Sequence, residues 1–201
     1  MQVIQLKVGS MDNFSYILIC PETGKGAVID PGADGDRIMG IIDKKGLVLE
    51  YILATHFHYD HIGMAPYLKS KTGALIAMHK ADIPLYRQEV DIALQDGDIL
   101  NAGEQIRLEV IHTPGHTPGG VCYYGGGRIF TGDTLFVRDS GRTDFPYSHR
   151  PTLGESIRRI MQLPEETLVM PGHDYGPTPT STLLEEMRKN INAREYRFYR
   201  E

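Results

Sequence analysis

Apolar and polar positions alternate in short blocks along this chain, and the period of the pattern changes twice. Val3–Val8, Phe14–Cys20 and Gly26–Ile29 are strand-length runs rich in β-branched and aromatic residues. The turn formers Gly9-Ser10-Met11-Asp12-Asn13 and Pro21-Glu22-Thr23-Gly24 part them, which predicts an antiparallel meander. After Asp30-Pro31-Gly32 the spacing becomes helical: Ile38, Ile41 and Ile42 share one face of a helix over Asp34–Lys44, followed by a buried strand Leu47–Ala54. A helix Ile62–Lys71, a strand Ala74–Met78 and a helix Ala81–Glu89 complete the first half. The second half repeats the plan, with strands Gln105–Ile111, Val121–Tyr124 and Arg128–Thr131, a helix Thr152–Leu163, a strand Thr167–Met170 and a helix from Ser181. Gly125-Gly126-Gly127 marks a hairpin, because glycine reaches positive φ without a steric penalty.

Two sheet-then-helix halves with no low-complexity linker between them predict a two-sheet core with helices outside and loops of both halves at one edge. At 201 residues the chain fits a single domain over 1–201, since domains run roughly 100–200 residues. The composition, 41% apolar and 23% charged, excludes a disordered or collagen-like chain. The longest apolar stretches, Tyr16–Cys20 and Tyr51–Ala54, are far shorter than the ~20 residues that span a bilayer, so no membrane partner is expected. A net charge of -5 repels a phosphate backbone and argues against nucleic acid. The N-terminal residues show no basic leader before a long apolar run, which predicts a cytoplasmic location. The two cysteines, Cys20 and Cys122, each lie in an apolar run and are expected to be buried thiols. Arg188, Lys189, Arg194, Arg197 and Arg200 form a basic C-terminal segment that reads as a solvated helix face, with a grip on an anion or a second subunit as the alternative. A homo-oligomer is left open.

The chemistry concentrates in the histidines. Of the eight, His56, His58, His61, His116 and His173 fall among turn residues at predicted strand ends. In His56-x-His58-x-Asp60-His61, residues two apart on an extended segment point the same way, so His56 and His58 can grip one ion while Asp60 and His61 turn toward a second. His116 sits in Thr113-Pro114-Gly115-His116-Thr117-Pro118-Gly119, a stiff loop that presents one imidazole as the third nitrogen. Asp133, in Thr131-Gly132-Asp133-Thr134, carries two oxygens and can bridge two cations. His173, in Pro171-Gly172-His173-Asp174-Tyr175, would complete the second position with Asp60, His61 and Asp133. His79, expected to open a helix, His112 and His149 lack a second ligand type nearby and are assigned no chemistry.

In this order, His56-x-His58-x-Asp60-His61, Gly115-His116-Thr117, Thr131-Gly132-Asp133 and Gly172-His173 resemble the metallo-β-lactamase superfamily. That likeness implies an α+β fold, the four-layer αββα sandwich, and two sites: His56, His58, His116 and Asp133, then Asp60, His61, Asp133 and His173. It implies two divalent metal ions, zinc first, with iron or manganese as alternatives. Thr131-Gly132-Asp133-Thr134-Leu135-Phe136 and Pro171-Gly172-His173-Asp174-Tyr175 look like the glyoxalase II branch, the hydroxyacylglutathione hydrolases. True β-lactamases with a cysteine ligand have it near where Asp133 stands.

The implied activity is hydrolysis of a small-molecule thioester, such as an S-acylglutathione, by a metal-bridging hydroxide, with Asp60 and Asp133 as catalytic residues. Arg142 stands where the branch places a glutathione-contacting cation, although Asp144 lies near the family's aromatic position, and Tyr175 matches a tyrosine near the thiol end of the substrate. An Arg142–Asp144 ion pair with Tyr175 in a core is the alternative reading of these residues. The helical part after His173 is also shorter than in glyoxalase II. Gly141-Arg142-Thr143-Asp144-Phe145 and His173-Asp174-Tyr175 resemble the persulfide dioxygenases too, which would imply a single Fe(II) on His56, His116 and Asp133. A lactonase and a non-catalytic metal-binding module complete the alternatives.

Overall fold

Turn chemistry and capping lay out the first half of the chain. A computed structural model, which describes residues 1–197, begins with β1 (Gln2–Val8), β2 (Asn13–Ile19) and β3 (Lys25–Ile29), paired antiparallel in sequence order. The helix α1 (Gly35–Lys45) ends at Gly46, whose φ of 60° suits glycine, and its acidic first turn and basic last turn complement the helix dipole. It carries the chain across to β4 (Val48–Leu53), which runs parallel to β3. Next come α2 (Tyr59–Ile62), α3 (Ala65–Thr72), β5 (Leu75–His79), α4 (Ile83–Tyr86) and β6 (Ile92–Leu94), with β5 and β6 extending the parallel part.

The second sheet opens as the antiparallel run β7 (Ile99–Ala102), β8 (Ile106–His112), β9 (Val121–Gly125) and β10 (Arg128–Gly132). The helix α5 (Arg150–Ile160) crosses to β11 (Leu168–Pro171), parallel to β10, and β12 (Ser181–Thr182) closes the edge. Then α6 (Leu183–Lys189) and α7 (Ile191–Arg197) follow. The strand orders are β1-β2-β3-β4-β5-β6 and β12-β11-β10-β9-β8-β7.

The period-two pattern of β2 shows how the layers form. Phe14, Tyr16 and Leu18 face the opposite sheet and pack with Val110, Tyr123, Phe130 and Met170, whereas Ile17 and Ile19 join Ile38, Ile42 and Leu68 under the helices. On the far sheet Ile129 and Val169 pack against Leu153, Ile157 and Leu183. The result is the expected four-layer αββα arrangement, with both faces of each sheet covered.

Three short strands, β6, β7 and β12, escape the sequence pattern because they are too brief to show a period. The expected helix Ile62–Lys71 is two pieces. Met64 donates its N–H to Pro31 O instead of continuing a helix, and Pro66 starts the second piece where its missing N–H costs nothing. The expected helix Ala81–Glu89 shrinks to α4, since Arg87 turns left-handed at φ 59°. His79 therefore ends a strand rather than opening a helix, and it stacks on His112 with ring centroids 4.0 Å apart. The first two residues of the predicted C-terminal helix pair as β12, and Thr182 caps α6 by accepting from Glu185 N. Cys20 and Cys122 are buried free thiols. Lys189 pairs with Glu185 on the exposed side of α6, while Arg200 and the side chain of Arg197 lie outside the described residues. Among the described residues no helix is long and apolar enough to cross a membrane.

Candidate metal centre

The strand ends converge on one rim. β3 delivers Asp30, β4 delivers Thr55 and His56, β10 delivers Asp133, and β11 delivers His173. The β8–β9 connection brings His116 to the same place. Three groups of candidate donors result: His56, His58 and His116; His56, His61 and Asp133; and Asp60, His61 and His173. Within each group the donor atoms lie within 4.8 Å of one another. All seven residues singled out from the sequence are thus neighbours.

The outward-facing nitrogens fix which way each ring donates. His116 Nδ1 lies 2.8 Å from Arg142 O and His173 Nδ1 lies 2.8 Å from Met11 O. A carbonyl only accepts, so both Nδ1 atoms carry hydrogen and both Nε2 atoms face inward. Asp30 takes His61 Nδ1 at 3.0 Å. The same carboxylate takes the Thr55 hydroxyl proton at 2.7 Å, leaving the Thr55 oxygen to accept from His56 Nδ1 at 3.0 Å. His58 is turned the other way: its Nε2 meets the Tyr147 hydroxyl at 2.7 Å, and its Nδ1 lies 3.0 Å from both His56 Nε2 and His116 Nε2. Outer-face oxygens that aim imidazoles at a common point are the usual support of a metal site.

The inner faces match a cation. His61 Nε2 and His173 Nε2 approach to 3.1 Å, and two lone pairs at that separation repel unless a proton or a metal lies between them. Asp133 Oδ1 is buried with no hydrogen-bond partner, a state that costs about 1–3 kcal/mol or more for a charged group unless a cation satisfies it. That oxygen is 3.2 Å from His61 Nε2 and 3.5 Å from His173 Nε2, and Oδ2 is 3.4 Å from His116 Nε2, so the carboxylate faces both ring groups. Asp60 is held by Asn13, whose amide donates to Oδ2 at 3.0 Å. Gly172 is required beside them, because a Cβ there would stand 2.7 Å from Asp133 Oδ1 and 2.8 Å from His61 Cε1.

Electrostatics separate the rings. Burial pushes His56 well below the usual histidine range and lowers His58 to about 4. Burial acts the same way on His61, but Asp133 and Asp30 outweigh it and hold that ring well above its ordinary value. Burial alone would raise Asp133; His61 and His173 overcome it and keep the carboxyl well below the carboxylate range.

Four supporting residues carry no local sequence signal strong enough to name them in advance: Asn13, Asp30, Asp82 and Tyr147. Only Asp30, at the end of a predicted strand before Pro31-Gly32, sits where a site residue would be sought. Asp82, fully buried, accepts from Phe57 N at 3.1 Å, Thr117 Oγ1 at 2.8 Å and Gly119 N at 2.5 Å. It thereby ties the loop of His56 and His58 to the loop of His116.

The two residues read as substrate contacts stand differently. Arg142 makes a bidentate pair with Asp144, with Nη2 2.6 Å from Oδ2, and both side chains are exposed. The expected ion pair is thus present, and the backbone carbonyl of Arg142 serves His116. Tyr175 is not in a core. It is exposed and stacks on His173 with centroids 4.5 Å apart.

Residues 12–173 match the Metallo-beta-lactamase superfamily. A hydroxyacylglutathione hydrolase of Pelagibacter ubique is 37% identical over 91% of this chain and 75% of its own length. A beta-lactamase hydrolase-like protein of Xylella fastidiosa is 34% identical over 90% of this chain and 49% of its own, so the chain spans about half the length of such relatives. The crystal structure of ETHE1 from Myxococcus xanthus superposes with a TM-score of 0.87 at 33% identity, covering 95% of this chain and 84% of that one. A crystal structure of TTHA1623 in a di-iron-bound form gives a TM-score of 0.83 at 30% identity over 94% and 98%.

Proposed function

The chain belongs to the metallo-beta-lactamase superfamily, and from that premise we propose that it is a binuclear metal-dependent hydrolase of a thioester such as an S-acylglutathione. The observation that carries this reading is Asp133: a largely buried carboxylate whose Oδ1 makes no hydrogen bond and which faces two groups of inward-turned imidazoles at once. His56, His58, His116 and Asp133 would hold one divalent cation, and Asp60, His61, His173 and Asp133 the other. Bound there, such ions supply a water acidified to a pKa of about 7 and a Lewis acid for the carbonyl. Zinc or iron suits this nitrogen and carboxylate set, and the di-iron form of a relative supports the two-ion count.

The protein's own groups do the rest. Asp60, fixed by Asn13, orients the attacking water. The deep placement of His56, His61 and His173 excludes bulk solvent from one side of the reacting carbonyl, where fixed charges stabilise the developing oxyanion most effectively. A thiolate leaves without a strong general acid because thiol pKa values lie near ~8.5, which fits a site with no obvious proton donor for a leaving group. Exposed Tyr175, stacked on His173, stands where a substrate passing over that ring would touch it.

A mononuclear Fe(II) persulfide dioxygenase on His56, His116 and Asp133 is the second reading, favoured by the likeness to the Myxococcus xanthus structure. Against it stands His58, whose Nδ1 is aimed at the same point as His56 Nε2 and His116 Nε2. Elemental analysis of anaerobically purified protein, followed by stopped-flow assay, separates the two. Close to two metals per chain with thioester turnover supports the hydrolase. A single iron with oxygen uptake on glutathione persulfide replaces it.

A further inference from the structure

Beside the metal centre lies a second concavity that the chemistry above does not use. It is a groove of about 280 Å³ that begins at His58 and runs between Phe57, Tyr59, Pro66, Leu85 and Tyr86. Its walls come from three pieces of chain. The segment of the first two candidate ligands and the start of α2 give Phe57 and Tyr59, α3 gives Pro66, and the four-residue α4 gives Leu85 and Tyr86. The left-handed turn at Arg87 stops α4 after one turn, and the Tyr86 hydroxyl reaches Ile62 O at 3.5 Å. Two large side chains that would ordinarily be covered, Tyr59 at 75% exposure and Leu85 at 37%, stand open on it.

The groove's chemistry selects its occupant. None of the residues that line it is Asp, Glu, Lys or Arg, and its polar atoms come from His58, Tyr59, Tyr86 and Gln88, so it offers no ion pair to the carboxylates and ammonium of glutathione. The cation nearest in role, Arg142, is already engaged by Asp144. The groove shares His58 with the first group of candidate ligands, so an arm lying in it would lie beside that site. We propose that this groove is the acyl subsite: it takes an uncharged, apolar acyl arm of the thioester, and chain length in that arm sets substrate preference. This rests on the hydrolase reading for its chemistry, but the groove's preference for an alkyl chain can be measured without turnover.

Two series of ligands test it on the zinc-loaded protein. In the first, straight-chain alkyl hydroxamates of increasing length, anchored by their metal-binding head, are titrated by calorimetry. Each added methylene should tighten Kd about fourfold until the groove is full. Leu85→Glu, which puts a charge on the groove wall, should flatten that dependence, whereas Leu75→Glu, at an exposed position on β5 outside the groove, should leave it intact. In the second series kcat/KM is measured for thioesters with one thiol and a lengthening acyl chain, then for one acetyl group and a lengthening alkyl thiol. The acyl series should climb and the thiol series stay level.

A Kd independent of chain length, a dependence that survives Leu85→Glu, or a climb in the thiol series instead of the acyl series each overturns the proposal. If the hydroxamate series climbs while no thioester is cleaved, the groove stands and the hydrolase reading falls. If thioesters are cleaved equally at every acyl length, the hydrolase reading stands and the groove falls.

Discussion

The two ring groups of the centre are built from the same side chain and held by opposite means. Around His56, His58 and His116 the outer partners are neutral: a threonine hydroxyl, a tyrosine hydroxyl and a backbone carbonyl. Burial keeps His56 and His58 without charge. Around His61 and His173 the support includes the buried carboxylate of Asp30, and His61 is pulled toward the imidazolium. One group stands ready to accept an ion with His56 and His58 already unprotonated, and the other must give up a proton first. Preparing a cation site with neutral oxygens favours easy loading; preparing it with a carboxylate adds ligand basicity at the cost of competition with protons.

The hardest blow to this contrast is Asp133→Asn, which keeps the shape and removes the charge shared by both groups. Turnover should fall by at least roughly 10³-fold, as expected for losing several kcal/mol of charge stabilisation, and metal content should drop below two per chain. Retention of near wild-type activity by stopped-flow would show that the groups act separately. Asp30→Asn should weaken the second ion by about 10–100-fold and leave the first within a few-fold, following the usual cost of losing an outer partner; stepwise metal titration reads both. Equal losses at both positions would show that the carboxylate supports the whole rim rather than one ring.

Acidity sharpens the contrast further. His61 is raised above its ordinary value, so its proton must leave before the second ion binds, and affinity there should fall by up to about tenfold per pH unit as the medium becomes more acidic. His58, lowered to about 4 by burial, competes for protons only near that value, so the first ion should show the shallower pH dependence. Isothermal titration in buffers of different ionisation enthalpy should detect proton release with the second ion chiefly. The smallest effect is expected from Asp82→Asn, where one of the N–H donors now served by a carboxylate oxygen would face an amide NH2. The two loops of the first group should loosen, weakening the first ion by a few-fold to about tenfold, with the second unchanged in the same titration.

What the sequence reveals of this molecule follows from how local the information is. The strands of the meander and of β8–β10 are visible because each is long enough to show a period and is bounded by turn residues, and the hairpin at Gly126 and Gly127, with φ of 58° and 71°, is written in its glycines. The seven clustered His and Asp residues are visible because imidazoles and carboxylates gather in loops at strand ends without a local reason to be there. Asp82 and Tyr147 carry no such mark. Their roles exist only once α4 and the segment before α5 are laid against the rim, and nothing in Lys80-Ala81-Asp82 or Phe145-Pro146-Tyr147 distinguishes them from surface turns. Arg142 is a different case: its position resembles a substrate contact, and its guanidinium pairs with Asp144 two residues away.

The isolated bridge between Asn13 and His173, with Met11 O gripping the ring across 162 residues of chain, bears on the order of events at birth. His56, His58, Asp60 and His61 emerge from the ribosome within one short stretch, with the orienting Asn13, Asp30 and Thr55 already made, but the residues that complete the centre, His116, Asp133 and His173, lie far downstream. Contacts of such sequence separation form slowly, because loop closure must precede any reward from pairing. The fully assembled set of candidate ligands therefore exists only after the segment carrying His173 has docked against Asn13 and Met11.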